Sequence, residues 1–243
     1  MTSRPPLVIA IDGPAGAGKS TTAREVARRM GLCWVDTGAM YRAVTLWFLR
    51  HEIEPLAGRP VEDALRRITV DLIPAGEGLR VLLCGDDVTE RIRQADVNRL
   101  VSRVARLPQV RKALVDWQRH CAARGDVVME GRDIGTVVCP DAPVKIFLHA
   151  SLEARANRRT KEFASLGEAV DDSAVRRNLV ERDEADSTRD ISPLVPAGDA
   201  VLLDTSDLSI EEQVDAVIRI VRARGYGRRL PAGCAVEESP LNG

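Results

Sequence analysis

Apolar positions recur along this chain in two rhythms. Short runs, unbroken in Leu7–Ile11, Cys33–Val35, Val127–Met129 and Ala200–Leu203 and interrupted only by Lys145 in Val144–Leu148, have the length of strands buried on both faces. Between them the apolar spacing changes to three and four. Ser20–Met30 turns Ala23, Val26, Ala27 and Met30 to one side and stops at Gly31. Further helices are expected from about Ala39 to Leu49, from Pro108 to Gly125, after Ser151, after Ser173 to about Asp186, and after the capping box Ser209-Ile210-Glu211-Glu212. Strands alternating with helices predict an α/β fold with a parallel sheet covered by helices. The rhythm breaks between Arg59 and Ser102. There Thr69–Ile73 and Leu79–Cys84 read as strands joined by the turn Pro74–Gly78, Gly85-Asp86-Asp87 reads as a second turn, and a helix follows from about Thr89 to Ala105. This segment predicts an inserted antiparallel subdomain, with residues 1–58 and 103–225 as the core. Beyond Arg224 the composition predicts a frayed tail, residues 226–243.

The first strand leads into Gly13-Pro14-Ala15-Gly16-Ala17-Gly18-Lys19-Ser20, and a helical pattern follows. That is the context a G-x-x-x-x-G-K-[ST] phosphate loop requires. Its glycines let backbone N–H groups wrap a polyphosphate, and the helix N-terminus behind them adds positive potential. Lys19 can reach the outer phosphates, and the Ser20 hydroxyl can ligate Mg²⁺. Ligands of open parallel sheets sit beyond the carboxyl ends of the strands. Two further polar clusters fall at such ends: Asp36-Thr37-Gly38-Ala39-Met40-Tyr41-Arg42, and Glu130-Gly131-Arg132-Asp133-Ile134-Gly135-Thr136. Arg42 near a helix start opposes the helix dipole, which points to an anionic partner. Arg155, Arg158 and Arg159 lie in one helix. Arg182, Asp186 and Arg189 recur at spacings of four and three, on one face if that helix persists. A flap carrying arginines over about 155–189 suits phosphoryl transfer, which needs charge neutralisation and exclusion of water.

Length and composition narrow the field. The 243 residues fit one α/β domain with insertions, and a formal net charge of −1 gives no pull towards nucleic acid or membrane. Four lysines stand against thirty-one arginines, so the lysine in the phosphate loop is the more telling cation. Five scattered cysteines form no C-x-x-C pair, which indicates neither a disulfide framework nor a zinc site, and His51, His120 and His149 show no ligand spacing. With no signal or membrane-spanning run, a cytoplasmic enzyme is expected.

Four stretches in this order, GPAGAGKST, DTGAMYR, GRDIGT followed by CPDAPVKIFLHAS, and ERDEADSTRDISPL, resemble the bacterial cytidylate kinases of the nucleoside monophosphate kinase superfamily, over about Leu7 to Arg222. The resemblance implies a three-layer αβα phosphate-loop fold with a five-stranded parallel sheet, an inserted monophosphate-binding subdomain and a short lid. It implies transfer of the ATP γ-phosphoryl group to CMP or dCMP with Mg²⁺, by a monomer. On it, Gly13, Pro14, Ala15, Gly16, Ala17, Gly18, Lys19, Ser20 and Thr21 would hold ATP. Thr37, Tyr41 and Arg42 would line the monophosphate site. Ser102, Arg111 and Asp133 would meet the cytosine edge, Arg132 and Arg182 phosphate, and Asp186 and Arg189 the sugar. Lys19, Arg132, Asp133 and Arg182 would carry catalysis. The family often has Ser at the position of Thr37 and Asp at that of Glu130; Glu keeps the charge with a longer reach, for a role in ordering Mg²⁺ through water. Alternatives are a kinase for UMP, AMP or shikimate, a GTP switch, for which an N-K-x-D motif is absent, and a nucleotide-binding module without turnover.

Overall fold

The computed structural model describes residues 6–76, 78–165 and 171–227. In chain order the elements are β1 (Val8–Asp12), α1 (Lys19–Met30), β2 (Cys33–Asp36), α2 (Thr37–Arg50), α3 (Arg59–Leu65), β3 (Val70–Ala75), β4 (Gly78–Leu83), β5 (Asp86–Asp87), α4 (Ala95–Val104), α5 (Pro108–Ala123), β6 (Val127–Gly131), β7 (Val144–His149), α6 (Leu152–Ser165), α7 (Asp172–Ser187), β8 (Val201–Asp204) and α8 (Ile210–Ala223). Five strands form a parallel sheet in the order β2-β6-β1-β7-β8. Every residue of β1 is buried, because both neighbours and both helical layers cover it. On one face Leu7, Ile9, Ile11, Val128, Ile146 and Leu148 meet α1 and α8. On the other, Val8, Ala10, Val35 and Met129 meet α2 and α5. Removing an Ile or Leu side chain of this kind from water is worth ~1.5–3 kcal/mol, which is why an unbroken apolar run takes the central position.

The expected insertion is present as a three-stranded antiparallel sheet, β3-β4-β5. Its apolar residues Leu72, Val81, Leu83 and Ile92 join the same hydrophobic cluster as Ala10 and Met129, so it shares the core of the main sheet. Several local expectations are corrected. Gly85-Asp86-Asp87 is not simply a turn: Cys84 and Gly85, with φ of 50° and 86°, form a two-residue connection, and Asp86 and Asp87 pair with Leu83 and Leu82. The strand β3 continues through Pro74 and Ala75, and Ala75 faces Gly78. The helix expected from Thr89 to Ala105 is split, since Gln94 is extended (ψ 161°) and separates a 3₁₀ turn, Arg91–Arg93, from α4. The short helix α3, with a proline in its first turn, went unread. Asp171, not Ser173, caps α7, accepting from the Ser173 N–H at 3.2 Å. Among the cysteines Cys84, Cys121 and Cys139 are free thiols, whereas Cys33 is in a disulfide, which the scattered spacing did not indicate. The break expected at Leu166-Gly167 and most of the expected tail lie outside the described residues. No helix among the described residues is long and apolar enough to cross a membrane.

Candidate active site

Strand register assembles the site. Asp36 pairs with Glu130 and Asp12 with Gly131, so three acids end adjacent strands at the carboxyl edge of the sheet. Parallel partners share a face: Asp36 and Glu130 point one way, and Asp12, one residue past Ile11, points the other. The phosphate loop leaves β1 at Gly13, where φ is 149° and a Cβ would lie 2.1 Å from the Leu148 carbonyl oxygen. At Gly18 (φ 90°) a Cβ would lie 2.7 Å from Gln213 Oε1. Side chains are excluded at both, so the loop backbone can close around an anion.

Lys19 opens α1 and is buried, with Nζ donating to the Pro14 carbonyl at 2.7 Å. Burial, and then Arg132, pushes its pKa well below the ordinary lysine range. Ser20 Oγ donates to Glu130 Oε2 at 2.8 Å, while the buried Glu130 Oε1 has no partner. Burial, then Asp36, pushes the Glu130 carboxyl upward. Asp36 caps α2 by accepting from the Ala39 N–H at 3.0 Å. Thr37 Oγ1 donates to the Glu130 carbonyl at 2.6 Å, tying α2 to β6.

After β6 the chain forms a single π turn, Ile134–Val138, and Asp133 precedes it. Arg111 of α5 donates to Asp133 Oδ2, and both side chains are buried. The Arg111 guanidinium lies 5.8 Å from the Tyr41 ring centre, and its Nε has no partner. Burial holds the Tyr41 phenol up at about 12. Arg111 also donates to the Ala105 carbonyl at 3.4 Å, which places it by the end of α4, where Ser102 sits half-buried one turn earlier.

Arg132 Nε donates to Asp186 Oδ2 at 2.7 Å, and Arg189 Nη1 approaches Asp186 Oδ1 at 3.9 Å. So α7 persists far enough for Arg182 and Asp186 to share it, while Arg189 reaches back from beyond the helix end. Burial works against the charge on Arg132, but Asp186 raises its pKa above the ordinary value. Arg42 and Arg189 are both held below the ordinary arginine range by burial. Arg182 is lowered by burial and by Arg42 and Arg132 beside it, and its Nε has no partner; nor has Nη2 of Arg189. A guanidinium stays charged under such pressure, so this is concentrated positive charge with unmet donors.

The arginines expected in a lid divide. Arg159 pairs with Glu162 at 2.7 Å and sits over Phe163, close enough to Arg42 and Arg182 to lower the pKa of each. Arg155 is buried and bonds the Ala15 carbonyl at 3.2 Å and Asp183 at 2.6 Å, so it ties the phosphate loop to α7. Arg158 reaches Thr205 and Leu208, beyond β8. Ser20 and Thr21 lie exposed at the start of α1.

The sequence reading missed Asp12, Thr205 and Gln213. Asp12 accepts from the Ile134 and Gly135 N–H groups, each at 2.8 Å. Thr205 Oγ1 donates to the Ala17 carbonyl at 3.0 Å. Gln213 takes the Thr22 hydroxyl at 2.9 Å and donates to Leu208 at 3.0 Å. An acid ending a buried strand was a readable signal for Asp12; the other two carry none in the sequence.

A family model described as cytidylate kinase matches residues 9–223. A cytidylate kinase of Pelotomaculum thermopropionicum is 52% identical over 223 residues, covering 91% of this chain and 97% of its own length. One of Carboxydothermus hydrogenoformans is 50% identical over 213 residues, covering 88% and 96%. One of Salinibacter ruber is 47% identical over 223 residues, covering 90% and 98%.

Proposed function

The chain belongs to the cytidylate kinase family and phosphorylates CMP and dCMP with ATP, and we propose that the cleft between the phosphate loop and the Arg111–Asp133 pair is where the transfer occurs. The observation that carries this assignment is that pair. It is a buried carboxylate bonded to a buried guanidinium whose Nε has no partner. Cytosine presents an N4 amino donor beside the N3 acceptor. A carboxylate oxygen accepts from the first, and a guanidinium N–H donates to the second. Uracil presents O4 and N3–H there, so both partners would be mismatched.

The same reading assigns the other residues. The loop from Gly13 to Thr21 holds the ATP phosphates, with Lys19 as the cation nearest the group in transit. Arg42, Arg132 and Arg182 surround the acceptor phosphate with Thr37 and Tyr41, and the unpartnered Nε of Arg182 together with the mutual repulsion of the arginines favours an anion between them. Asp186 and Arg189 face the sugar, and Ser102 joins Arg111 at the base. Residues 59–102 act as the monophosphate-binding subdomain, and 155–189 as the lid that excludes water. Mg²⁺ fits the residues present: the Ser20 hydroxyl bonds one oxygen of Glu130, whose other oxygen is buried and unpartnered. An oxygen-only set with few protein ligands suits this ion. When bound it neutralises phosphate charge, with Ser20 as ligand and Glu130 acting through water. The protein is read as a cytoplasmic monomer, the monomer on the family resemblance alone, and as acting on nucleotides alone, since a net charge of −1 gives no pull towards nucleic acid or membrane; sizing in solution tests the monomer.

The direct test is ADP formation from ATP with CMP, dCMP, UMP, AMP, shikimate or no acceptor. CMP and dCMP should support turnover at least tenfold faster than the rest at equal concentration. Faster turnover with UMP or AMP would overturn the base assignment.

A further inference from the structure

We propose that Asp12 is a positioning residue that holds the cytosine-reading turn in register with the phosphate loop. The proposal rests on the assignment of Asp133 to the base. Asp12 is the last residue of β1 and precedes the first loop glycine, Gly13. It lies between Gly131 of β6 and Phe147 of β7, at the point where the chain leaves the sheet centre. Its Oδ1 accepts the Ile134 N–H and its Oδ2 the Gly135 N–H, both at 2.8 Å, and the side chain is buried. These two amides follow Asp133 directly. The Asp133 carbonyl in turn accepts from Val137 and Val138 at 2.9 and 3.2 Å, so the turn is fixed from both ends.

The turn has little room to move elsewhere. A Cβ at Gly135 would lie 3.2 Å from Lys145 Cδ and 3.4 Å from Asp12 Oδ2. Lys145 is itself anchored to the Pro140 carbonyl and, at 2.9 Å, to Asp199. Asp12 is thus the only side chain among the described residues that bonds these two amides while belonging to the strand that launches the phosphate loop. One carboxylate sets the distance between the transferring phosphoryl group and the base-reading carboxylate. A neutral isostere cannot do this. Asn accepts from one amide and turns an NH₂ towards the other, leaving two donors face to face.

The test is Asp12→Asn, assayed with ATP against CMP and against UMP. kcat/KM for CMP should fall tenfold or more, chiefly through a raised KM for CMP. The ratio of CMP to UMP efficiency should narrow at least fivefold, and KM for ATP should stay within about twofold. Equal losses for ATP and CMP with an unchanged CMP to UMP ratio would show a structural acid only and overturn the proposal. Wild-type preference for CMP over UMP is measured in the same plates; its absence would sink the base assignment rather than the role of Asp12 in holding the turn. A second measurement does not depend on the variant folding. In wild-type protein the Ile134 and Gly135 amide protons should exchange at least a thousandfold more slowly than free loop amides. Exchange at loop rates would overturn the proposal.

Discussion

The Asp133 carboxylate has two duties that pull on the same substitution. It bonds the buried Arg111 and, on the assignment above, reads the cytosine amino group. Asp133→Asn keeps an acceptor for Arg111 but removes the charge that compensates a buried guanidinium. We expect a stability loss of about 1.5–3 kcal/mol, the usual worth of a hydrogen bond to a charged group, read from urea unfolding. We also expect kcat/KM for CMP to fall and the CMP to UMP ratio to narrow, because an amide can donate to O4 of uracil. ATP affinity should not change. Proportional loss of CMP and UMP activity would assign Asp133 to the fold alone.

At the scale of elements, two of the three arginines of α6 have different work. Arg155 connects the phosphate loop to Asp183 of α7, so on the proposed reading it would act at the seam between the ATP site and the lid. Arg158, three residues on, braces the Thr205–Leu208 connection, whose Thr205 hydroxyl supports Ala17. Arg106 also reaches the Ala185 carbonyl at 3.3 Å, which links the end of α4 to α7. Arg155→Ala should therefore raise KM for ATP several-fold and speed hydrogen exchange along α7. Arg158→Ala should lower stability by about 1–3 kcal/mol, the cost of leaving carbonyls underpaired, with kcat within threefold of wild type. Equal kinetic damage from both would contradict the division of roles.

For the whole molecule the buried charges around Lys19 are an electrostatic compromise that a bound nucleotide is expected to relieve. Burial, then Arg132, lowers the pKa of Lys19. A lowered lysine contributes stability that is present at alkaline pH, above 10.5, and lost as pH falls through the shifted value. Asp12 has the opposite sense: burial raises it to about 6, so its contribution is present below 3.8 and lost as pH rises through about 6. A bound polyphosphate should restore the charge on Lys19. Binding of ATP in EDTA near pH 8 should accordingly take up protons, seen as a dependence of the calorimetric enthalpy on buffer ionisation. Lys19→Met should abolish that dependence and lower turnover at least a hundredfold, the scale of a lost transition-state cation, while leaving the melting temperature unchanged or raised. Proton release, or uptake that persists in the variant, would count against Lys19 as the responsive group.

The sequence by itself determined the local and periodic features of this protein. An apolar run of five dictates a doubly buried strand. The glycines and Lys19 dictate a phosphate loop, and Ser209 with Glu212 dictates the start of the last helix, where both reciprocal bonds are formed. Short-range physics suffices for these, since each depends on neighbours within a few residues. Only the tertiary structure decided which distant side chains meet. Strand register placed Asp36 beside Glu130, and the docking of α5 on the π turn placed Arg111 on Asp133. Sequence pattern gave Arg155 and Arg158 one helix and one expected role; i and i+3 share a helix face, and it is the fold that sets Ala15 and Asp183 beside the first and Thr205 and Leu208 beside the second. Asp12 was visible as an acid ending a buried run, but its meaning depends on two amides more than 120 positions away. Spacing along the chain cannot supply that information, because a buried carboxylate is defined by the donors that the finished fold brings to it.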